Sequence, residues 1–419
     1  MRIDLHYGEG LLPLEISSST EHVVPQTVDV HPNTAAELLR VLETPADSAP
    51  LSEIVSRANS ISIVVNQIEH PELARNLLHF LLNSVETFSF NPDDITIIYP
   101  IDPDQRISSN EIDEMLGSPE SRGHSLVLHN PISNEMLNLV GETPSNSTPV
   151  FVNERFLCTD VKIGLGQIRP DVFAGATGGR MSVLPYASGI RTITRNTRLR
   201  TTHNFGPFNL TTPSCIDMIE ASKLGGLDFI VNYVSDWLGN VAHICAGNPY
   251  SSWESGVDSA KMLANAEFTR RADIAIVSAG GYPSDLTLYD AIDSLHTAFE
   301  VTENGGAIVL IAECNKGVGP KGFIRGVSEF SSENDVTLAA EIGFELGFEK
   351  AQFFWNVLSS RKLVICSRLR HSLVEERLRS EAVRDPQEGL EVAQTMLASK
   401  RKIAVIPHGI RTVPHFKNH

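Results

Sequence analysis

The sequence predicts an α/β protein of two domains, with parallel or mixed sheets flanked by helices. Three observations predict it. Short β-branched runs recur along the chain, they alternate with stretches of helical periodicity, and most of the runs are apolar throughout, as strands covered on both faces must be. With 419 residues the chain has room for two or three cores, at roughly 150 residues per domain.

Taken in order, strands are predicted from Ile61 (ISIVVN), Ile95 (ITIIY), Pro149 (PVFVN), Val161 (VKIGLG) and Asp228 (DFIVNYV). They continue from Asp273 (DIAIVSAGG), Gly306 (GAIVLIAEC), Lys362 (KLVICS) and Lys402 (KIAVIPHG). The clearest helix opens at Pro71, where proline suits a first turn, and it keeps Leu73, Leu77, Phe80, Leu81 and Val85 on one face. The stretch SSWESGVDSAKMLANAEFTRRA reads as a helix ending near Arg270, and a fresh βα unit starts at Asp273. Residues 1–270 are therefore expected to form a larger domain and 273–400 a smaller one. Whether the final strand and tail, 401–419, return to the first domain is left open.

Composition narrows the function. Against 34 Lys+Arg stand 51 Asp+Glu, a net charge of −17. Such a chain repels phosphate backbones and anionic lipid headgroups, so a small molecule is a better partner than nucleic acid or a membrane. A hydrophobic share of 42% with 20% charged residues describes a globular protein, not a disordered one. The five cysteines are odd in number, dispersed and mostly inside apolar runs, which fits reduced thiols and a cytoplasmic setting. The opening MRIDLHYGEG has no apolar run of the signal-peptide kind.

Zinc-hydrolase, zinc-finger, thioredoxin, serine-hydrolase and P-loop motifs are all absent. Two glycine turns stand out instead, Gly178-Gly179-Arg180 and Gly280-Gly281. Either lets backbone N–H groups approach an anion, or is simply a tight βα turn. His70, His79, His129, His203, His243 and His296 lack metal-ligand spacing and read as surface or satisfied core residues. Tyr289, Asp293 and His296 share one helix face, with Asp290 beside Asp293 read as a solvated carboxylate pair, and Ser284 and Asp285 are expected to cap that helix.

The segments FAGATGGRMSVLPYASGIRTITRN, SAGGYPSDLTLYDAIDSLHTA and IAECNKGVGPKGF resemble the nickel-dependent lactate racemase family, and the likeness runs collinearly from MRIDLHYGEGLLPLEI to VIPHGIRTVP. The resemblance implies a two-domain α/β protein whose cleft holds a nickel-pincer nucleotide. That cofactor takes a hydride from C2 of a 2-hydroxy acid and returns it to the other face.

Position by position, the resemblance also implies departures. The lysine that tethers the cofactor is replaced by Met181, after the matched Gly178-Gly179-Arg180 turn. The nickel-ligating histidine is replaced by Thr197, a poor nickel ligand. Asp104 and Asp171 stand where two histidines act as acid and base, and Glu69 and Asp293 where an arginine and a lysine hold the substrate carboxylate. His70, Arg106 and His203 are the neighbours that a one-residue slip in register would recruit. Tyr289 matches a family tyrosine near the cofactor or packs at the domain junction.

Two like charges about 4 Å apart repel by roughly 4 kcal/mol at an effective dielectric near 20. A cleft lined by Glu69, Asp104, Asp171 and Asp293 is thus expected to exclude lactate unless cations intervene. Three readings follow: a working 2-hydroxy-acid racemase or epimerase, a divergent enzyme or binder using Mg²⁺, Mn²⁺ or Ca²⁺ on its carboxylates, and a non-catalytic relative that keeps the scaffold.

Overall fold

A computed structural model describes residues 1–17, 20–29, 33–66, 70–87, 90–101, 108–201, 205–397 and 402–417. Glu69, Asp104, Arg106 and His203 lie outside the described residues. The chain forms two compact units, one mainly from Thr27–Arg200 and Asn204–Leu263, the other mainly from Met1–Gln26 and Ala264–His419.

The first unit is built on a six-stranded sheet in the order Val241–Gly247, Phe229–Ser235, Val161–Gln167, Ile61–Val65, Ile95–Pro100, Ser125–His129. Only the Val241 strand runs antiparallel to its neighbour, so the sheet is mixed. Every residue of Ile61–Val65 is buried because the strand has a core on each face. Ile61, Ile63 and Val65 meet Leu77, Leu78, Leu81 and Val85 of the helix Pro71–Glu86. Val64 points to the other side, into a cluster with Met181, Val183 and Trp253. That split is the period-two alternation of a strand acting in a doubly covered sheet, and each such Val, Leu or Ile contributes about 1.5–3 kcal/mol by burial.

The second unit holds another six-stranded sheet, all parallel, in the order Glu381–Val383, Lys362–Cys366, Thr302–Ile311, Ala272–Ser278, Ile403–Ile406, Glu21–His22. From Ala272–Ser278 the chain moves outward on one side, then returns with Ile403–Ile406 on the other. The strand order reverses there, which is where open α/β sheets leave a crevice at their carboxyl ends.

Several boundaries differ from the sequence expectation. Residues 1–26 join the C-terminal unit, not the larger domain, because Ile3, Leu5 and Leu14 of the hairpin Arg2–Tyr7/Gly10–Glu15 pack on Ile274 and Ile276. The final strand stays in the same unit, between Ala272–Ser278 and Glu21–His22. The long helix stops at Ala264, and Asn265–Phe268 becomes a strand beside Val413–Phe416, so the units divide at 263/264 and not at 270. Pro149–Asn153 is a strand outside both sheets, paired antiparallel with Leu137–Glu142. No described helix is long and apolar enough to cross a membrane, and none of the five cysteines is in a disulfide.

Candidate functional site

In the first unit the Gly178-Gly179-Arg180 turn sits at the carboxyl end of the sheet. The Gly179 N–H donates to Asn232 Oδ1 at 2.8 Å, Thr177 Oγ1 donates to the Gln167 carbonyl at 2.8 Å, and Ser182 Oγ donates to Asn66 Oδ1 at 3.2 Å. Gly179 has φ +52°, and a Cβ there would lie 2.8 Å from Trp253 Cδ1, so glycine is required by close packing. Trp253 in turn donates its indole N–H to the Thr177 carbonyl at 2.8 Å.

Arg180 is 1% exposed. Its guanidinium lies 4.2 Å from the Trp253 ring centre, gives one N–H to the Ala174 carbonyl at 2.7 Å and stands beside the Cys215 thiol. Burial pulls its pKa down, opposed by the Cys215 thiol and Asp171. Met181 is 4% exposed and belongs to the apolar cluster of Val64, Ile98, Ile168 and Trp253. Thr197 is buried on the helix Ile190–Arg198. Next to it Asn196 Nδ2 donates to Asp217 Oδ2 at 3.0 Å and to the Ser214 carbonyl at 2.9 Å. Asp171 makes an Asx turn, its Oδ1 accepting the N–H groups of Phe173 and Ala174 at 2.9 and 2.7 Å.

In the second unit Tyr289 and Asp293 lie on the helix Leu288–Val301. The cap of this helix is Thr287 in a capping box with Asp290, not Ser284 or Asp285. The Asp285 carboxylate is engaged elsewhere, where its Oδ2 accepts the N–H groups of Gly8 and Glu313 at 2.7 and 3.0 Å and ties the N-terminal hairpin to the sheet. The solvated-face reading of Asp290 and Asp293 is also corrected. Burial raises the pKa of Asp290, and Asp293, 8% exposed, pairs with Lys350 Nζ at 3.0 Å.

Lys350 comes from the helix Phe348–Ser360. Its ammonium also donates to the Tyr289 carbonyl at 3.1 Å and stands 4.3 Å from the centre of the Tyr289 ring. The Tyr289 hydroxyl donates to Glu349 Oε1 at 2.9 Å. Lys350 thus brings a positive charge from a second helix to the Asp293 carboxylate. Sequence reasoning missed Lys350 and Glu349, since no motif or helical spacing links them to a residue so far away along the chain.

The Gly280-Gly281 turn leaves the point where the strand order reverses. A Cβ on Gly281, at φ +77°, would come within 2.7 Å of the Gly8 carbonyl oxygen, so this glycine admits the hairpin. The hairpin also brings His6 to His408, ring centres 5.1 Å apart. Burial, aided by His6, Arg411 and His22, drives the His408 pKa down to about 3. His129, by contrast, is the satisfied core histidine expected: Nε2–H donates to the Ser188 carbonyl at 3.0 Å and Nδ1 accepts from Asn153 Nδ2 at 3.0 Å. Asp171 and Asp293 each have partners, and among the described residues no three His, Cys, Asp or Glu side chains gather as a metal site.

Comparison with known proteins gives a consistent result. Residues 7–205 match the family model of the lactate racemase N-terminal domain and residues 268–413 that of the lactate racemase C-terminal domain. The lactate racemase of Thermoanaerobacterium thermosaccharolyticum is 26% identical over 383 residues, 89% of each chain. That of Lactiplantibacillus plantarum is 24% identical over 430 residues, covering 98% of this chain and 99% of the relative. The structure of the Thermoanaerobacterium lactate racemase apoprotein superposes with a TM-score of 0.89 at 23% identity, over 99% of this chain and all of the other, a likeness of fold. A Thermotoga maritima protein of known structure gives a TM-score of 0.67 at 14% identity, over 92% and 98%. With both domain models matched in order along one polypeptide, the chain belongs to the lactate racemase family.

Proposed function

We propose that this chain uses the lactate racemase scaffold for a small organic acid of the 2-hydroxy-acid class, without a covalently tethered nickel-pincer nucleotide. The observation that carries this reading is Met181. It occupies the position where the family places its tethering lysine, and its side chain is 4% exposed inside an apolar cluster. A thioether has no nucleophilic nitrogen and forms no thioamide. The remaining residues agree. Thr197 replaces an imidazole with a hydroxyl, which binds nickel poorly. Asp171, in place of an acid/base histidine, spends one carboxylate oxygen on two backbone N–H groups. The set does not fit the tethered cofactor.

The organic-acid part rests on family membership and on Lys350. The ion pair with Asp293 removes the net negative charge that would otherwise repel an anionic ligand at this helix. The test has two arms. Intact-mass measurement after co-production with the enzymes that build the pincer nucleotide should return the unmodified mass. Chiral chromatography after incubation with D- and L-lactate should show no interconversion, while calorimetry with a panel of 2-hydroxy acids should detect binding. A nickel-containing adduct together with lactate racemisation would overturn the proposal, and binding of no acid in the panel would overturn its organic-acid part.

A further inference from the structure

A second, unassigned site lies wholly within the C-terminal unit, and we propose that it binds a phosphorylated, hydroxyl-bearing small molecule of about nucleoside-monophosphate size. A cavity of about 570 Å³ opens where two adjacent parallel strands, Thr302–Ile311 and Lys362–Cys366, end. That volume falls within the range of about 300–1,000 Å³ usual for ligand pockets, and carboxyl ends of parallel strands are where α/β sheets place them. None of Tyr289, Asp293, Gly280 or Gly281 lines it.

Its lining is cationic in a protein whose net charge is −17. Arg368, Arg370 and Arg377 contribute three guanidiniums against the single carboxylate of Glu376. Arg368 is bridged to Glu313 at 3.1 Å. Among the described residues Arg370 and Arg377 have no carboxylate partner, so both forks remain available. Planar guanidiniums pair bidentately with phosphate oxygens, which a lone ammonium does not do. Leu369 and Leu373 add apolar wall for the organic part of a ligand, and Glu376 offers an acceptor for sugar hydroxyls.

The backbone beside the cavity is strained as well. Cys314, a non-glycine residue, sits at φ +53°, held by its N–H bond to the Asp285 carbonyl at 2.8 Å. Strain of this sort concentrates at ligand sites. Burial and the neighbouring carboxylates of Asp285, Asp290 and Glu313 push the Cys314 thiol well above its usual range, so the cavity binds and does not use the thiol as a nucleophile.

The test is titration calorimetry of the full-length protein with AMP and with pyrophosphate, repeated on Arg370→Ala/Arg377→Ala. Both arginines are exposed, so the double variant should fold, which circular dichroism checks. Native protein should bind AMP, with affinity falling as salt rises, and the variant should lose about tenfold or more, the loss expected when charge-assisted bonds worth about 1.4 kcal/mol or more are removed. Absence of AMP binding by the native protein would overturn the proposal, as would equal affinity in the folded variant. Binding of pyrophosphate alone would overturn the assignment to a phosphorylated organic molecule.

Discussion

Restoring a lysine at position 181 tests whether this position belongs to a core or to a cofactor site. In Met181→Lys the new ammonium enters a cluster in which the native side chain is 4% exposed, among Val64, Ile98, Ile168 and Trp253. An amine held neutral there at pH 7 costs about 1.36 kcal/mol for each unit below its unfolded pKa of about 10.4, or about 4.6 kcal/mol. Set against a total stability of about 5–15 kcal/mol, that is a large fraction. The unfolded chain binds the extra proton and the folded chain does not, so stability must rise with pH, and the cost shrinks to about 1.9 kcal/mol at pH 9. Urea unfolding of the native protein, Met181→Leu and Met181→Lys at both pH values reads this directly. The leucine variant should stay within about 1.5 kcal/mol of native, because its volume is conserved. A lysine variant with a native midpoint at pH 7 would refute the reasoning. It would mean that the side chain reaches water, and that position 181 faces a site after all.

Three further outcomes follow from the same structure. Asp293→Asn or Lys350→Met alone should each cost about 3–5 kcal/mol, since one buried charge is left uncompensated, and the double variant should recover part of the loss in a denaturation cycle; strict additivity would show that the 3.0 Å pair is not coupled. His408, with its pKa at about 3, stays neutral when folded but protonates below about 6.5 when unfolded, so it should cost stability on acidification, about 2 kcal/mol by pH 5, and His408→Gln should flatten that slope in urea titrations. Gly280 and Gly281 both sit at positive φ, +105° and +77°, so alanine is strained at either, but Gly281→Ala also meets the Gly8 carbonyl at 2.7 Å whereas Gly280→Ala meets nothing nearer than Ile410 at 3.8 Å; calorimetric melting should show the first as the more damaging by about 1–3 kcal/mol.

The predicted strands were legible because each carries its own signal. A fully apolar run such as ISIVV must be covered on both faces, and a helix such as Pro71–Glu86 shows its buried stripe through spacing alone. The family was legible too, since its motifs recur in order along the whole chain. Less legible were the loop ends. Asp285 looked like a helix cap because serine and aspartate before a helix usually are, yet its carboxylate is drawn away by the Gly8 and Glu313 amides.

What the sequence by itself determined is therefore local or collinear: strand and helix identity, the α/β class, the family, and the charge balance of the chain. The tertiary structure alone decided where the first 26 residues belong, since a hairpin's apolar face finds its partner on a strand more than 250 residues later. It alone paired Asp293 with Lys350 and set the arginine-bearing segment Arg368–Arg377 against Cys314, Asn315 and Gly317 around one cavity. Periodicity reports which face of an element is apolar, but ion pairs and pockets depend on which distant elements share a sheet edge, and no spacing along one chain encodes that.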